Sequence, residues 1–259
     1  MNTQTQKIIK AAKAGGEELK KYFLQGLDLD IKEKSTDRDY VTKADLASEK
    51  AILAHLNKDY PDYNIHSEEA GIIDKKSDYT FVIDPLDGSH NFVTGTPNFS
   101  VAISLWQKEK VISNIVYCPI TNRTFTCEKG KGVYLENQKL KVNNNPNIKK
   151  ASVSYVGDYA STNEYMGDIV HKLYLLGFGR ILANWSVALD YCTLASGKYE
   201  AIVNDGSEIY DFGGGKLMAR EAGAKITDFN GQEDLNDKNN LFIASNGTDI
   251  HEKLLKIFN

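Results

Sequence analysis

The sequence predicts an α/β protein in two parts: an α+β N-terminal subdomain, residues 1–142, and an α/β C-terminal subdomain, residues 143–259. Three observations support this division. Apolar residues recur at helical spacing near the start of the chain, and the pattern changes to that of strands between Tyr63 and Val142. A polar segment rich in helix and strand breakers follows at residues 143–147. After it, strands alternate with helices, as in α/β folds.

The N-terminal part is predicted to consist of two helices and then a sheet. The first helix carries on one face Ile8, Ala12, Gly15, Leu19 and Tyr22. The second carries Leu46, Ile52, Leu53 and Leu56 and ends at Pro61. Strands are expected at residues 64–66, 79–83, 101–106, 111–117, 124–127, 132–135 and 139–142. We expect these strands to form an antiparallel sheet.

The C-terminal part is predicted to alternate between the two element types. Strands are expected at residues 151–156, 180–183, 199–203, 225–227 and 241–244. Helices are expected at residues 164–176, 187–195, 212–222 and 249–258, and Gly197 and Gly223 end the second and third of them.

Composition limits the classes of function. The chain has 259 residues, of which 41% are apolar and 25% charged, which is ample for a packed core. A net charge of −4 and the absence of a long apolar run give no support for binding to nucleic acid or to a membrane. The three cysteines lack Cys-x-x-Cys spacing, and no apolar region follows the polar N-terminus. We therefore expect a cytoplasmic protein with reduced thiols.

The segment Asp84-Pro85-Leu86-Asp87-Gly88 carries two carboxylates directly after the apolar run 81–83. Because Pro85 has no N–H and Asp-Gly favours turns, we expect the strand to end here, with both carboxylates on a bend. Oxygen ligands of this kind suit Mg²⁺, and Ser67-Glu68-Glu69 supplies further acid at the end of another predicted strand. The alternative is a solvated acidic turn, because Asp and Gly are common in turns.

A further acidic residue, Asp211, precedes three consecutive glycines at 213–215. Each glycine inside a helix costs about 1 kcal/mol relative to alanine, so the run needs a cause such as the close approach of a neighbouring element or a ligand. A nucleotide-binding loop is excluded because the Gly-x-x-x-x-Gly-Lys-Ser/Thr spacing is absent. We expect both tight packing of this helix on the sheet and placement of Asp211 in a site.

These motifs together resemble those of the inositol monophosphatase family. Residues 84–92 resemble its signature Asp-Pro-Ile/Leu-Asp-Gly-Thr-x-Asn-Phe, and residues 210–223 resemble its Trp-Asp signature, which continues through a small-residue helix to Glu-Ala-Gly. Residues 67–69 are similar to its Gly-Glu-Glu, and Asp39 through Asp45 to its Asp-x-Val-Thr-x-x-Asp. The matches occur in family order over nearly the whole chain. The resemblance implies a layered αβαβα sugar-phosphatase fold.

The resemblance also implies a phosphatase site that binds two to three Mg²⁺ ions. The implied metal ligands are Glu68, Asp84, the carbonyl of Leu86, Asp87 and Asp211. Asp84 would bridge the first two ions, which can together stabilise the attacking and leaving oxygens of an in-line displacement. Glu68 and Glu69 would border a weaker third ion.

Catalytic roles are implied for Glu68, Ser89 and Asp45. Ser89 and Asp45 match the family's Thr–Asp pair, which helps to orient and deprotonate the attacking water. Substrate contacts are implied at Gly88, Ser89, Trp185, Ser186, Asn204, Asp205 and Asp211, with the backbone N–H groups of Gly88 and Ser89 binding the phosphate. This region departs from the family, because Trp185 replaces a glycine, Val187 an alanine, and Asn204 an acidic residue of some relatives.

The function implied is that of a Mg²⁺-dependent, lithium-sensitive phosphomonoesterase for a small polyol or sugar phosphate, with inositol 1-phosphate as the default. Fructose 1,6-bisphosphate and the 2′-phosphate of NADP stay open as alternatives, because Trp185 could reshape the pocket. A third alternative is a family member with a mainly regulatory, protein-binding role. The implied partners are a small-molecule phosphate ester and a second copy of the chain, since homodimers are usual in this family.

Overall fold

The computed structural model describes residues 3–34, 40–158 and 160–258, which fold into alternating layers of helices and sheets. The helices are α1 (Thr3–Gln25), α2 (Lys43–Asp59), α3 (Ser89–Val93), α4 (Asn163–Leu175), α5 (Val187–Ala195), α6 (Ile209–Glu221) and α7 (Ile250–Leu255), with a 3₁₀ turn at Ile148–Lys150. The strands are β1 (Lys32–Glu33), β2 (Tyr40–Val41), β3 (Asn64–Ser67), β4 (Gly71–Ile73), β5 (Tyr79–Asp87), β6 (Ser100–Gln107), β7 (Lys110–Cys118), β8 (Arg123–Glu128), β9 (Gly132–Leu135), β10 (Gln138–Leu140), β11 (Ser152–Gly157), β12 (Arg180–Leu182), β13 (Ala201–Asp205), β14 (Lys225–Thr227) and β15 (Leu241–Ser245).

Two large sheets are present within the described residues. The first has eight strands in the order β10-β9-β8-β7-β6-β5-β3-β4, and the second has five in the order β12-β11-β13-β15-β14. The prediction of a purely antiparallel first sheet is wrong at one pair, because β3 and β5 run parallel. The hairpin β3–β4 turns the chain back along the sheet edge, so that β5 enters on the other side of β3 in the same direction.

Apolar clusters lie at each interface between the layers. Helices α1 and α2 pack on one face of the eight-stranded sheet, and α5 and α6 cover its other face. The outer side of the α5–α6 pair packs on the five-stranded sheet, whose remaining face is covered by α4 and α7. This order of layers confirms the predicted αβαβα class.

Each predicted helix is found, whereas α3 and the short strands β1, β2 and β4 were not predicted. Helix α6 begins earlier than predicted, at Ile209. Helix α2 begins at Lys43 because Thr42 and Asp45 form a capping box, in which the side chain of each accepts the backbone N–H of the other. Asp39, the first residue of the third resembling motif, lies outside the described residues.

The expectation that the strand ends before Pro85 is wrong. Strand β5 continues to Asp87, and its register against β6 shifts between Asp84 and Asp87. A bulge of this kind leaves residues outside the ladder, so that a residue without an N–H can be accommodated there. The carbonyl of Pro85 instead accepts a hydrogen bond from Ser48 Oγ at 2.7 Å.

Helix α6 is held unusually close to its neighbours by its three glycines, Gly213–Gly215. A Cβ on these residues would lie 2.6 Å from Trp106 in β6, 2.2 Å from Asn114 in β7 and 2.1 Å from Tyr191 in α5, respectively. Carbon atoms in contact are normally about 3.5–4.0 Å apart. The predicted close approach of a neighbouring element is therefore confirmed, and it places the N-terminus of α6 against the end of β5.

Among the helices that the structure describes, none combines the length and the apolar character that crossing a bilayer would require.

Candidate functional site

The bulge in β5 presents two carboxylates that are almost completely buried. Asp84 is 2% exposed and Asp87 3% exposed. Asp84 accepts a hydrogen bond from the N–H of Leu86 at 2.9 Å, which fixes the shape of the bulge. Because the strand carries these residues into the interior between the two sheets, neither charge can be stabilised by bulk water.

Asp87 is held in place by groups from both halves of the chain. Its carboxylate accepts hydrogen bonds from Ser186 Oγ at 2.6 Å and from Ser100 Oγ at 2.8 Å. It also accepts the backbone N–H groups of Ala188 and Leu189, at the first turn of α5. Burial raises the pKa of Asp87, and these donors oppose that shift because they favour the ionised form. The N-terminus of α5 thus caps a carboxylate of the first sheet.

Asp211 occupies the first turn of α6. It accepts the N–H of Glu208 at 3.1 Å, within a capping box that starts the helix. Burial, together with the charges of Glu68 and Asp87, raises the pKa of Asp211 well above its usual value. The tight packing of α6 on the eight-stranded sheet therefore brings a third carboxylate toward those of β5.

Glu68 and Glu69 follow directly after β3 and share one cation. Lys34 Nζ lies 2.6 Å from Glu68 Oε1 and also bonds to Glu69 Oε1. Burial alone would lower the pKa of Lys34, but the attraction and hydrogen bonds of the two glutamates raise it, so the ammonium stays charged. Burial also raises the pKa of Glu68 to about 7, although Lys34 opposes the shift.

Four carboxylates therefore act on one another across the end of β5. Burial, with the charges of Glu68, Asp87 and Asp211, raises the pKa of Asp84 well above its usual value. Like charges brought together in this way favour the binding of a proton or a cation. The donor set, carboxylate oxygens and the Leu86 carbonyl, is of the kind that Mg²⁺ prefers.

In the conformation described, the carboxylates do not surround one common position for a metal ion. Among residues 3–34, 40–158 and 160–258, no three His, Cys, Asp or Glu side chains are grouped so that they could hold a metal ion in the positions they occupy. The contact of Glu68 with Lys34 supplies a reason, since the ammonium draws this glutamate to itself. A metal ion that binds Glu68 would thus compete with the Lys34 ammonium for this carboxylate.

Ser89 and Asp45 meet beside this cluster. Ser89 Oγ lies 3.1 Å from Asp45 Oδ1 and 3.0 Å from the carbonyl oxygen of Leu86. Asp45 is fully buried and accepts two further hydrogen bonds from Thr42, from its N–H at 2.9 Å and its hydroxyl at 2.6 Å. Burial raises the pKa of Asp45, and the Thr42 and Ser89 donors oppose the shift. A serine is thus paired with a carboxylate at the edge of the acidic cluster.

Gly88 forms the sharp turn between β5 and α3. Its φ of 96° lies in the left-handed region, and a Cβ there would lie 2.9 Å from the Asn98 carbonyl oxygen and 3.2 Å from that of Trp185. Only glycine meets both conditions without strain. The main chain of Trp185 is therefore packed directly against the turn that follows Asp87.

A cavity of about 340 Å³ adjoins the carboxylates. It meets the acidic cluster at Asp87, Gly88 and Asp211. The apolar part of its lining consists of Val156, Met166, Val170, Ala183, Trp185 and Val187. A small-molecule site of this volume, which joins an apolar wall to convergent polar groups, is the usual form of a substrate pocket.

Only some of the residues predicted to contact substrate line this cavity. Those that line it are Gly88, Trp185 and Asp211, and those that do not are Ser89, Ser186, Asn204 and Asp205. Ser186 is fully buried, and its hydroxyl is engaged by Asp87. In this position it orients a predicted metal ligand rather than facing the cavity.

Asn204 and Asp205 lie at the end of β13, with their polar groups bonded inside the protein. Asn204 Oδ1 accepts the Tyr191 hydroxyl at 3.0 Å, and its Nδ2 donates to the Asn240 carbonyl at 2.8 Å. Asp205 accepts the Tyr155 hydroxyl at 3.1 Å. These bonds connect β13 to α5, to β11 and to the loop before β15. Both residues therefore hold together elements around the cavity and do not line it.

Several residues of the site were not identified from the sequence, among them Lys34, Met166 and Val170. Lys34 gave no signal, because 34 residues separate it from Glu68 and ion pairs at that distance leave no pattern. Met166 and Val170 could have been found, since two apolar residues four apart lie on one face of the predicted helix 164–176. Their face of α4 forms part of the cavity wall.

The layered αβαβα fold and the buried carboxylates at the end of β5 are together those of the sugar-phosphatase fold class. The model of the inositol monophosphatase family matches residues 1–259. The chain belongs to this family.

Individual relatives carry different names. The chain is 36% identical over 238 residues to "Nus factor SuhB" of Pasteurella multocida, covering 89% of this chain and 87% of that protein. It is 31% identical over 229 residues to "Fructose-1,6-bisphosphatase/inositol-1-monophosphatase" of Thermotoga maritima, covering 88% and 86%. The crystal structure of extragenic suppressor protein suhB from Bartonella henselae matches with a TM-score of 0.91 at 28% identity, covering 100% of this chain and 99% of that one.

Proposed function

We propose that this protein is a Mg²⁺-dependent phosphomonoesterase that hydrolyses a small sugar or polyol phosphate. The observation that carries the proposal is the burial and mutual repulsion of Glu68, Asp84, Asp87 and Asp211, which come from three separate segments of the chain. Buried carboxylates that raise one another's pKa are costly unless a cation neutralises them. A fold gains nothing from such a cluster alone, so we assign it to the binding of metal ions.

Two to three Mg²⁺ ions would be held by Glu68, Asp84, the Leu86 carbonyl, Asp87 and Asp211. When bound, Mg²⁺ lowers the pKa of a water molecule and neutralises charge on the phosphate. Ser89 would accept a hydrogen bond from this water while donating its own proton to Asp45. Burial raises the pKa of Asp45, which makes its carboxylate a better proton acceptor. The N–H groups of Gly88 and Ser89 would bind the phosphate oxygens.

The substrate belongs to the same proposal. Inositol 1-phosphate is the first candidate, because a relative from Thermotoga maritima carries that activity in its name. The same name includes fructose 1,6-bisphosphate, and the 2′-phosphate of NADP is a further candidate because of the bulk of Trp185. We also propose inhibition by Li⁺, a cytoplasmic location and a homodimer, as the family resemblance implies.

Phosphate release from inositol 1-phosphate, fructose 1,6-bisphosphate, NADP and glycerol 2-phosphate tests this proposal. Each is measured with Mg²⁺, with EDTA, and with Mg²⁺ plus Li⁺. We expect Mg²⁺-dependent release from at least one ester, and a loss of about 100-fold or more in Asp84→Asn, since even residues behind metal ligands contribute 10–100-fold. Asp74→Asn, which changes an exposed carboxylate, is the matched control and should retain full activity. Asp84→Asn protein as active as wild type would contradict the mechanism.

A second candidate is a regulatory role through binding to another protein. It is favoured by the name Nus factor SuhB, carried by a relative that is 36% identical, against 31% for the phosphatase of Thermotoga maritima. A binding role would not need a working carboxylate cluster. If regulation is the main function, Asp84→Asn should reverse the defects of a strain that lacks the gene as well as wild type does. If catalysis is the main function, wild type should reverse those defects and Asp84→Asn should not.

A further inference from the structure

Lys216, in the middle of α6, is a fully buried lysine that the proposed chemistry does not use. Lysine is almost never fully buried unless it is paired. Its ammonium donates to Asp234 Oδ2 at 2.6 Å, to the carbonyl oxygen of Asn236 at 2.7 Å and to that of Asn239 at 2.9 Å. All three acceptors belong to one loop, residues 234–240, which we call the anchor loop.

Stability alone does not account for an ammonium at this position. Taking a charged pair out of water costs free energy that its attraction need not repay, and apolar residues of similar volume are often as stable. Lys216 Nζ lies over the ring of Phe242, 4.1 Å from its centre, so part of its surroundings is apolar. A methionine could fill the same space, but it has no donor for the carbonyl oxygens of the anchor loop. The three bonds indicate that Lys216 fixes the path of this main chain.

The anchor loop also connects the two sheets. It leads into β15 of the five-stranded sheet, and the N–H of Val111, in β7 of the eight-stranded sheet, donates to Asp237 Oδ2 at 3.1 Å. Arg220, one turn after Lys216 in α6, donates to the other carboxylate oxygen of Asp237 at 3.0 Å. Helix α6 is therefore joined through this loop to both of the sheets that it packs between.

The last residue of the anchor loop holds the segment before α6. The carbonyl oxygen of Asn240 accepts the N–H of Gly206 at 3.0 Å, and its Nδ2 donates to the carbonyl oxygen of Ser207 at 3.2 Å. Gly206, Ser207 and Glu208 line the cavity beside the carboxylates. The N–H of Glu208 in turn donates to Asp211 Oδ2 at 3.1 Å. A continuous set of contacts thus runs from the buried ammonium through the anchor loop to a predicted metal ligand.

We propose that Lys216 is a positioning residue for the metal site: its ammonium fixes the anchor loop, and the loop holds residues 206–208 in the conformation that caps Asp211. This inference rests on the proposed function, because it concerns how that site is built. Loss of the ammonium should leave α6 in place but allow residues 206–208 to shift. A displacement of about 1 Å remote from the chemistry can cost as much as about 100-fold in activity.

The first test separates positioning from stability. Lys216→Met leaves the buried Asp234 carboxylate without its ammonium and should lower Tm, so it is combined with Asp234→Asn, which removes that charge. We expect the double variant to regain most of the Tm of wild type. The Mg²⁺ concentration for half-maximal phosphate release should stay about tenfold higher, with a smaller change in kcat. A double variant that regains the Mg²⁺ dependence of wild type along with its Tm would show that Lys216 serves stability only.

Asn240→Ala tests the same path without removing a buried charge. It deletes the donor to the Ser207 carbonyl and keeps the main chain of the anchor loop. We expect the Mg²⁺ concentration for half-maximal activity to rise about threefold, as for the loss of one neutral hydrogen bond.

Leu254→Ala is the control for lowered stability. Leu254 is fully buried in α7, which covers the face of the five-stranded sheet opposite to α6. The variant should lower Tm and leave the Mg²⁺ dependence unchanged. No increase in the required Mg²⁺ in Asn240→Ala, or an equal increase in Leu254→Ala, would overturn the inference.

A measurement without substrate separates this inference from the proposed function. Mg²⁺ that binds the folded protein raises Tm, and a weaker site gives a smaller rise at the same Mg²⁺ concentration. We expect a smaller rise in the double variant and in Asn240→Ala than in wild type and Leu254→Ala. If this result is found and no ester is hydrolysed, the phosphatase function fails and the positioning role stands. Equal rises in all four proteins, or none in wild type, would overturn the positioning role, whatever the catalytic result.

Discussion

Replacing Gly215 by alanine should destabilise the protein, although the same change stabilises most helices. A Cβ at this position would lie 2.1 Å from Tyr191 Cδ2, and Tyr191 is fully buried in α5. Normal carbon contacts are about 3.5–4.0 Å, so the helix or the ring must move by more than about 1 Å. Overpacking of this kind costs about 1–3 kcal/mol or more, against a gain of about 1 kcal/mol in helix propensity.

Gly167 in α4 is the matched control for this experiment. It is also a helical glycine, but a Cβ there would meet no atom within 4 Å. Gly167→Ala should therefore stabilise the protein by up to about 1 kcal/mol. Thermal unfolding followed by circular dichroism measures both variants, and for a chain of this size each kcal/mol shifts Tm by about 2–4 °C.

We expect Tm to fall in Gly215→Ala and to rise in Gly167→Ala. Because α6 carries Asp211, the Gly215 variant should also need more Mg²⁺ for half-maximal phosphate release. A Gly215→Ala protein at least as stable as wild type would refute the argument that α6 depends on glycine to reach α5, and with it our account of how Asp211 is positioned.

Three other predictions concern stability and metal binding. Lys34→Met removes the ammonium shared by the two glutamates, so Mg²⁺ should raise Tm more in this variant than in wild type; equal shifts would show that Lys34 does not balance the cluster. Ser186→Ala removes a donor from Asp87 and should raise the Mg²⁺ concentration for half-maximal activity by about tenfold, the value of a hydrogen bond to a charged group. His251 is fully buried between Thr227 and Ser245, and burial lowers its pKa to about 4, so the unfolded state binds its proton first. The contribution of neutral His251 to the free energy of unfolding should be fully present above about pH 6.5. It should be lost as the pH falls toward 4, by roughly 3 kcal/mol in total. Urea unfolding across that range should show a smaller loss in His251→Asn, and identical pH profiles would remove His251 as the cause.

Local signals explain why much of the fold was predictable. The spacing of apolar residues in α1 and the breakers near residues 143–147 act over a few neighbours, so the sequence contains them directly. The glycines of α6 are also local, and they indicated close approach without indicating the partners. Trp106, Asn114 and Tyr191 are far from α6 in sequence, and only the packing of sheet and helices selects them.

The errors arose where tertiary structure overrides a local rule. Pro85 should end a strand, but the bulge between Asp84 and Asp87 removes the need for its N–H. The parallel pairing of β3 with β5 depends on the path of β4 and not on the residues of either strand. For the candidate site, the sequence motifs predicted the pairing of Ser89 with Asp45, which the structure contains. The burial of Asn204 depends on how β13 packs and has no sequence signature.

The backbone at Trp185 has a consequence for how this gene can change. The single codon for tryptophan differs from a glycine codon by one base, so a glycine at this position is one mutational step away. That step would relieve a left-handed backbone that costs about 1–2 kcal/mol, at the expense of the contacts of a partly buried indole. A single base change can thus remove the indole from the cavity wall without forcing a new backbone conformation.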